Sequence, residues 1–129
     1  MIGRYVMGRG LFEEKDGIDE EACLKMYDNN YDFYRIVLET FCKEIGNTYV
    51  NMKEKFATRD IESYRISVHS LKGSGASCGA VCLVRLATES NALIKEGKWD
   101  EAEKFHQPIL DELERLMTLI PQRLEEKTK

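Results

Sequence analysis

Apolar side chains recur every three or four residues through one long stretch of this 129-residue chain. Because an α-helix turns once in 3.6 residues, this spacing places all of them on one face. The stripe keeps its phase across Gly46, so we expect one long amphipathic helix from about residue 31 to about residue 57. Such a helix must bury its apolar face against other elements, which constrains the fold more than any other feature. The members of the stripe are Tyr34, Leu38, Phe41, Ile45, Tyr49, Met52 and Phe56.

Two more helices are predicted in the middle of the chain. Asp60 can cap the first of them, and Gly79 either ends it or joins it to the next. The period continues through Leu83, and Gly97 is a suitable C-terminal cap for the second helix. The apolar stripe of the first helix consists of Ile61, Tyr64, Val68, Leu71, Gly75 and Cys78.

The two ends of the chain complete the predicted architecture. A last helix begins near Trp99, Pro108 should kink it or separate a first turn, and Pro121 should fray its end. A short helix is expected within residues 18–27, and residues 1–16 are expected to form a flexible leader. No stretch alternates with period two, so we predict an all-α, antiparallel bundle. The domain is placed at residues 17–124, followed by a charged tail at 125–129.

Composition excludes several classes of protein. The net charge is −4, with 19 basic residues against 23 acidic ones, which argues against a nucleic-acid binder. No apolar run reaches the ~18 residues needed to cross a bilayer, and the N-terminus lacks the apolar region of a signal peptide. We therefore expect a cytoplasmic protein with no membrane partner. It should be a monomer, since one apolar face per helix closes the core without a second chain.

Four cysteines and two histidines are the residues most often used for metal binding or nucleophilic catalysis. The cysteines form no CxxC pair, and we interpret them as reduced core residues rather than as a zinc site. His106, near the expected break at Pro108, has no organised neighbours in sequence and is interpreted as incidental. The cysteines are Cys23, Cys42, Cys78 and Cys82.

His69 lies on the solvent side of its predicted helix. At about 100° per residue, it points away from the apolar stripe, and four residues share its side. Two of these are cations and two are very small. They are Arg65, Lys72, Gly73 and Ala76.

This arrangement favours phosphoryl chemistry. A neutral imidazole is a nucleophile at cellular pH, and Lys72 can neutralise negative charge that arrives on it. Gly73 and Ala76 leave an open surface that another protein can approach, whereas Gly75 lies on the opposite side and should admit a neighbouring helix. A lone surface histidine usually has no role. Small residues on the solvated face, which helix packing does not explain, distinguish this one.

Residues 69–80, HSLKGSGASCGA, resemble the signature of the histidine phosphotransfer (HPt) domain family. The resemblance extends over about residues 17–120 and implies an antiparallel four-helix bundle with an additional short N-terminal helix. It further implies that His69 accepts a phosphoryl group on Nε2, that Lys72 stabilises this group, and that Gly73 makes room for the partner. Gly75 and Cys78 depart from the usual residues at their positions, with an expected effect on stability rather than on chemistry.

The partners implied by the resemblance are receiver domains of response regulators, of hybrid histidine kinases, or of both, in a two-component phosphorelay. Arg65, Gly73 and Ala76 would contact the receiver. The receiver would supply the phosphorylated aspartate and the Mg²⁺, so no cofactor or metal of the chain's own is expected.

Two alternatives to a phosphoryl carrier stay open. One is a module that docks receivers without carrying phosphate. The other is the phosphorylatable domain of a chemotaxis-type kinase, which would take phosphate from a kinase core. The sequence has no nucleotide-binding loop, so we do not expect the chain to phosphorylate itself from ATP.

Overall fold

The computed structural model describes residues 10–128, with the side chains of residues 127 and 128 left out. Short 3₁₀ turns at Glu14–Asp16 and Glu103–Phe105 accompany six α-helices. The described residues contain no strand, and a single bridge joins Ile18 to Ala80. The helices are α1 (Glu20–Met26), α2 (Tyr31–Ala57), α3 (Ile61–Cys78), α4 (Val81–Lys95), α5 (Trp99–Ala102) and α6 (His106–Thr128).

Helices α2, α3, α4 and α6 form the bundle, and α1 is the additional short helix. The Tyr34 hydroxyl, near the start of α2, donates to the Cys78 carbonyl at the end of α3 at 2.8 Å. At the other end, the rings of Phe56 and Tyr64 lie 5.8 Å apart. These contacts make α2 and α3 antiparallel, and the two-residue connection after Cys78 turns α4 back along α3. The predicted all-α, antiparallel four-helix bundle with a short N-terminal helix is confirmed.

The core follows the bundle axis and is filled by one face of each long helix. Burying these side chains is the main source of stability, at about 1.5–3 kcal/mol for each large one. The largest fully buried side chains are Tyr34, Tyr64, Phe41, Leu38, Ile45, Met52, Leu71, Leu83, Ile109, Leu113, Leu116 and Ile120. Ile61, which the periodicity placed in the stripe, is instead 38% exposed because it lies in the first turn of α3, at the edge of the core.

Capping residues set the bounds of α3 as the sequence predicts. The Asp60 carboxylate accepts a hydrogen bond from the Ser63 amide at 3.2 Å, which satisfies one of the free amides of the first turn. Gly79 follows the helix with φ +86°, a left-handed conformation that favours glycine, and its amide donates to the Gly75 carbonyl. Gly79 therefore ends α3 rather than continuing into α4.

The two prolines act differently. The predicted separate turn before the last helix is confirmed, since α5 and a 3₁₀ turn precede α6 and Pro108 lies in the first turn of α6. The prediction that Pro121 frays the end is wrong, because α6 continues past Pro121 to Thr128. The tail from residue 125 therefore prolongs this helix as far as it is described.

The prediction of a flexible leader is wrong for residues 11–16, which pack against the bundle. Leu11 and Phe12 are buried, and Glu20 accepts hydrogen bonds from both of their amides. Asp16 is also buried and is bonded to Arg123 of α6. The rest of the predicted leader, residues 1–9, lies outside the described residues. Within the described part, no helix is long and apolar enough to cross a membrane.

Candidate functional site

His69 lies in the middle of α3 on its solvent-exposed face. Gly73 and Ala76 are exposed beside it, and Val68 and Leu71, its neighbours on the other side of the helix, have no exposed surface. The predicted division of α3 into a buried and a solvated face is therefore confirmed. An imidazole in this position is open to a group carried by another protein.

The two cations beside His69 differ in their partners. Arg65 donates to the Glu62 carboxylate at 2.6 Å, a hydrogen bond that lowers the pKa of Glu62 and leaves little free charge on the arginine. Lys72 is half-buried and forms no ion pair with any described residue. Its ammonium group is therefore the charge beside His69 that is free to meet an arriving anion.

Two glycines of α3 serve opposite faces. A Cβ atom built on Gly73 would have no neighbour within 4 Å among residues 10–128, so the surface beside His69 is open there. A Cβ atom on Gly75 would lie 2.9 Å from Cγ2 of Val84 on α4. Gly75 thus permits the close packing of α3 against α4, as predicted, whereas packing gives no reason for Gly73.

The C-terminal turn of α3 is held by residues of the preceding elements. Helix ends leave carbonyl groups without intrahelical partners, and three of these carbonyls accept hydrogen bonds from outside the helix. The donors hold the last turn of α3 and its C-cap against the preceding elements. They are the Tyr27 hydroxyl to Ser77 at 2.6 Å, the Tyr34 hydroxyl to Cys78 at 2.8 Å and the Asp19 amide to Gly79 at 2.8 Å.

Sequence reasoning missed three exposed apolar side chains near this face. Ile66, one turn before His69, is 58% exposed. Met26 of α1 and Val81 of α4 are 56% and 52% exposed and border the groove next to Ala76. The only sign of them in the sequence was that Ile66, an apolar residue, falls outside the apolar stripe of its helix. The position of α1 beside α3 could not be read from periodicity.

His106 is not incidental, because it is packed at the end of the bundle where α6 begins. Its Nδ1 atom lies 2.7 Å from the Tyr64 hydroxyl, and its ring stacks on Phe56 with 3.7 Å between centroids. Burial, together with the positive charge of Lys53, lowers the pKa of this histidine. The hydrogen bond between the Tyr64 hydroxyl and Nδ1 of this ring joins α3 to α6, which is a structural role.

The cysteines are free thiols, and the predicted core position holds for two of the four. Cys23 and Cys78 are buried, and burial raises the pKa of Cys78 to about 12, so its thiolate is not available as a nucleophile. Cys42 and Cys82 are half-buried. Within residues 10–128, no group of three or more histidine, cysteine, aspartate or glutamate side chains is arranged to hold a metal ion.

A family model described as Hpt domain matches residues 36–120, more than half of the chain. No curated protein matches the chain in sequence. Among solved structures, the HPT domain of a sensor hybrid histidine kinase from Shewanella superposes with a TM-score of 0.78 at 19% identity, covering 86% of this chain and 96% of that one. Histidine-containing phosphotransfer protein B from Pseudomonas aeruginosa PAO1 superposes with a TM-score of 0.74 at 21% identity, covering 84% and 96%.

Proposed function

The chain belongs to the Hpt domain family, and from this premise we propose that it carries a phosphoryl group on His69 in a two-component phosphorelay. The observation that carries the proposal is an exposed imidazole in mid-helix, one turn from a glycine that leaves the surface open and from a lysine that pairs with no acid among the described residues. The donors and acceptors would be receiver domains of response regulators or hybrid histidine kinases. The relay would operate in the cytoplasm.

Transfer from a receiver would proceed by attack of the His69 Nε2 lone pair on the phosphorus of an aspartyl phosphate. The N–P bond forms, the P–O bond to the aspartate breaks, and the aspartate leaves as a carboxylate. Lys72 would offset the negative charge of the phosphoryl oxygens during this exchange. The receiver would supply the aspartate and its Mg²⁺, and this chain would contribute no cofactor.

Labelling with a phosphorylated receiver tests the proposal. A panel of ³²P-phosphorylated receiver domains is mixed with the protein in the presence of Mg²⁺. We expect acid-labile label on the wild type and none on His69→Gln, with an unchanged helical circular dichroism spectrum. His106→Gln is the matched control, because His106 is the other histidine of the chain and should not affect labelling.

Three results would contradict the proposal. Labelling of His69→Gln at the wild-type level would exclude His69 as the acceptor. Receivers that bind without transferring label would indicate a docking module. Label that arrives from a histidine kinase core with ATP, but from no receiver, would indicate the phosphorylatable domain of a chemotaxis-type kinase.

A further inference from the structure

Three side chains of α3 form a line along its solvated side. Glu62, Arg65 and His69 follow one another at steps of three and four residues, so each is the neighbour of the next on the helix surface. Side chains of a helix lean towards its N-terminus, and the imidazole of His69 therefore extends over the turn that carries Arg65. Arg65 thus lies between an acid and the imidazole.

The guanidinium of Arg65 is turned towards the acid. Its Nη2 atom donates to Oε1 of Glu62 at 2.6 Å, and its Nε atom lies 3.4 Å from Oε2. The arginine side chain is 26% exposed, whereas that of Glu62 is 70% exposed. An ion pair whose acid is mostly in water contributes little stability. A stronger anion within reach of Arg65 would therefore displace Glu62.

A phosphoryl group on His69 is such an anion. It carries nearly two negative charges and three acceptor oxygens, and a guanidinium can bind it through two parallel hydrogen bonds. On the basis of the proposed function, we propose that Arg65 exchanges Glu62 for the phosphoryl group when His69 carries it, and that Glu62 holds Arg65 in place until then. Glu62 is then a positioning residue that acts through Arg65.

The position of Glu62 makes this exchange inexpensive. Glu62 lies in the first turn of α3, where the helix dipole favours a negative charge, so its carboxylate is stable without the arginine. It is seven residues from His69, about 10.5 Å along the axis, which exceeds the screening length of about 8 Å at 0.15 M salt. Arg65 is only about 6 Å from His69 along the axis. Glu62 therefore affects the phosphoryl group through Arg65 rather than directly.

The exchange sets how firmly the chain holds its phosphoryl group. Each phosphorylation of His69 breaks the pair of Glu62 with Arg65, and each transfer to a following receiver restores it. The restored pair favours release, so Glu62 shifts the equilibrium towards the receivers. Lys72 makes no such exchange, because it pairs with no acid among the described residues.

The transfer equilibrium between a phosphorylated receiver and the chain, measured at 0.15 M salt, tests the exchange. Glu62→Gln should raise the equilibrium constant for phosphorylation of His69 about threefold, because Arg65 is then free to bind the phosphoryl group. Arg65→Ala should lower this constant about threefold. The double variant should match Arg65→Ala, since Glu62 has no effect without the arginine.

Glu89→Gln is the matched control. It also removes an exposed acid from an arginine, since Glu89 accepts a hydrogen bond from Arg85 at 3.1 Å. Arg85 also donates to Cys82, which lies near Arg115 of α6, so this pair is on the α6 side of α4. Glu89→Gln should leave the equilibrium constant unchanged.

Nuclear magnetic resonance follows the exchange without a receiver. The Nε–Hε signal of Arg65 is identified by its loss in Arg65→Ala. It should shift when phosphoramidate, a small phosphodonor, phosphorylates the wild type, and it should stay in place in His69→Gln. The corresponding signal of Arg85 should not move in either protein.

The possible results distinguish this inference from the function on which it rests. If no receiver labels the wild type, the proposed function fails and the inference fails with it. If receivers label the wild type and the Arg65 signal does not shift on phosphorylation, only the exchange is overturned. If Glu62→Gln raises the equilibrium constant in the Arg65→Ala background as well, Glu62 acts on the phosphoryl group directly, which would also overturn the inference.

Discussion

At the scale of single residues, the three glycines of α3 and its C-cap are each required for a different reason. Gly73 has open space where a Cβ would lie, Gly75 has a methyl group of α4 at 2.9 Å, and Gly79 has φ +86° with the Asp19 carbonyl oxygen 2.8 Å from a built Cβ. The same amino acid therefore keeps a surface clear, permits close helix packing, and ends a helix. Gly73 alone of the three lowers the stability of the helix without allowing a closer packing contact.

Alanine substitutions should separate the three roles. Gly73→Ala should raise the free energy of unfolding by about 1 kcal/mol, because alanine is the better helix former, yet slow transfer from a receiver. Gly75→Ala should lower stability, because overpacking costs about 1–3 kcal/mol and so exceeds the gain of about 1 kcal/mol in helix propensity. Gly79→Ala should be the least stable of the three, because it combines left-handed strain with a backbone clash. Urea unfolding and the labelling assay measure both effects, and a destabilised Gly73→Ala would contradict the open surface.

Lys72 and Arg65 provide a second comparison at this scale. Lys72→Ala should lower the maximal transfer rate at least about tenfold, because its charge is free to stabilise the transferring group. Arg65→Ala should have a smaller effect, since Glu62 already neutralises Arg65. Single-turnover transfer at saturating receiver measures the difference. Equal losses in the two variants would contradict a specific role for Lys72.

At the scale of helices, the junction of α2, α3 and α6 depends on a buried histidine. Tyr64, His106 and Phe56 join the three helices at the end of the bundle, and Trp99 of α5 packs against Tyr64 with 5.4 Å between ring centroids. Burial raises the pKa of Tyr64 and lowers that of His106, so the hydroxyl and the ring that share this hydrogen bond both favour their uncharged forms. The junction is therefore built for an uncharged imidazole.

This junction should make stability depend on pH. The pKa of His106 is lower in the folded protein than its ordinary value of 6.5, so the unfolded chain takes up a proton first as the pH falls. The stabilisation is fully present above pH 6.5 and is lost as the pH falls from there towards the folded pKa. Urea unfolding at pH 7.5 and pH 5.0 should show a smaller loss in His106→Gln than in the wild type. An equal loss in both proteins would mean that His106 does not contribute.

At the scale of the whole molecule, the segment before α1 is part of the folded domain. Arg123 of α6 bonds both carboxylate oxygens of Asp16, at 3.2 and 3.3 Å. Burial opposes ionisation of Asp16, but the hydrogen bond from the Glu13 amide and the charge of Arg123 outweigh it and lower its pKa. Glu20 holds the amides of Leu11 and Phe12 and accepts the Tyr31 hydroxyl, so it connects this segment to α1 and α2.

Removing a side chain of this segment should therefore weaken the entire bundle. Phe12→Ala should lower the free energy of unfolding by about 3 kcal/mol, the usual cost of truncating a buried phenylalanine. Phe33→Ala is the matched control, since Phe33 is 46% exposed, and its loss should be about 1 kcal/mol or less. Thermal unfolding followed by circular dichroism measures both, and equal losses would mean that the segment does not contribute to the core.

Periodicity and capping residues determined most of this protein's local structure. The stripe from Tyr34 to Phe56 predicted α2 with its observed bounds, and Asp60 and Gly79 predicted the ends of α3. The exposed side of His69 followed from the same 3.6-residue period. These features depend on neighbours within one or two turns, which is why the sequence alone was sufficient for them.

Contacts between residues distant in the chain were decided only by the tertiary structure. The ion pair of Asp16 with Arg123, the hydrogen bond between Tyr64 and His106 and the groove beside Ala76 each join segments that are tens of residues apart in the chain. Pro121 was misjudged because packing of α6 against the bundle outweighs the loss of one backbone hydrogen bond. A helical pattern specifies which face is buried, but it does not specify which element of the chain covers that face. The hydrophobic effect is non-directional, so any apolar surface of suitable shape can bury it.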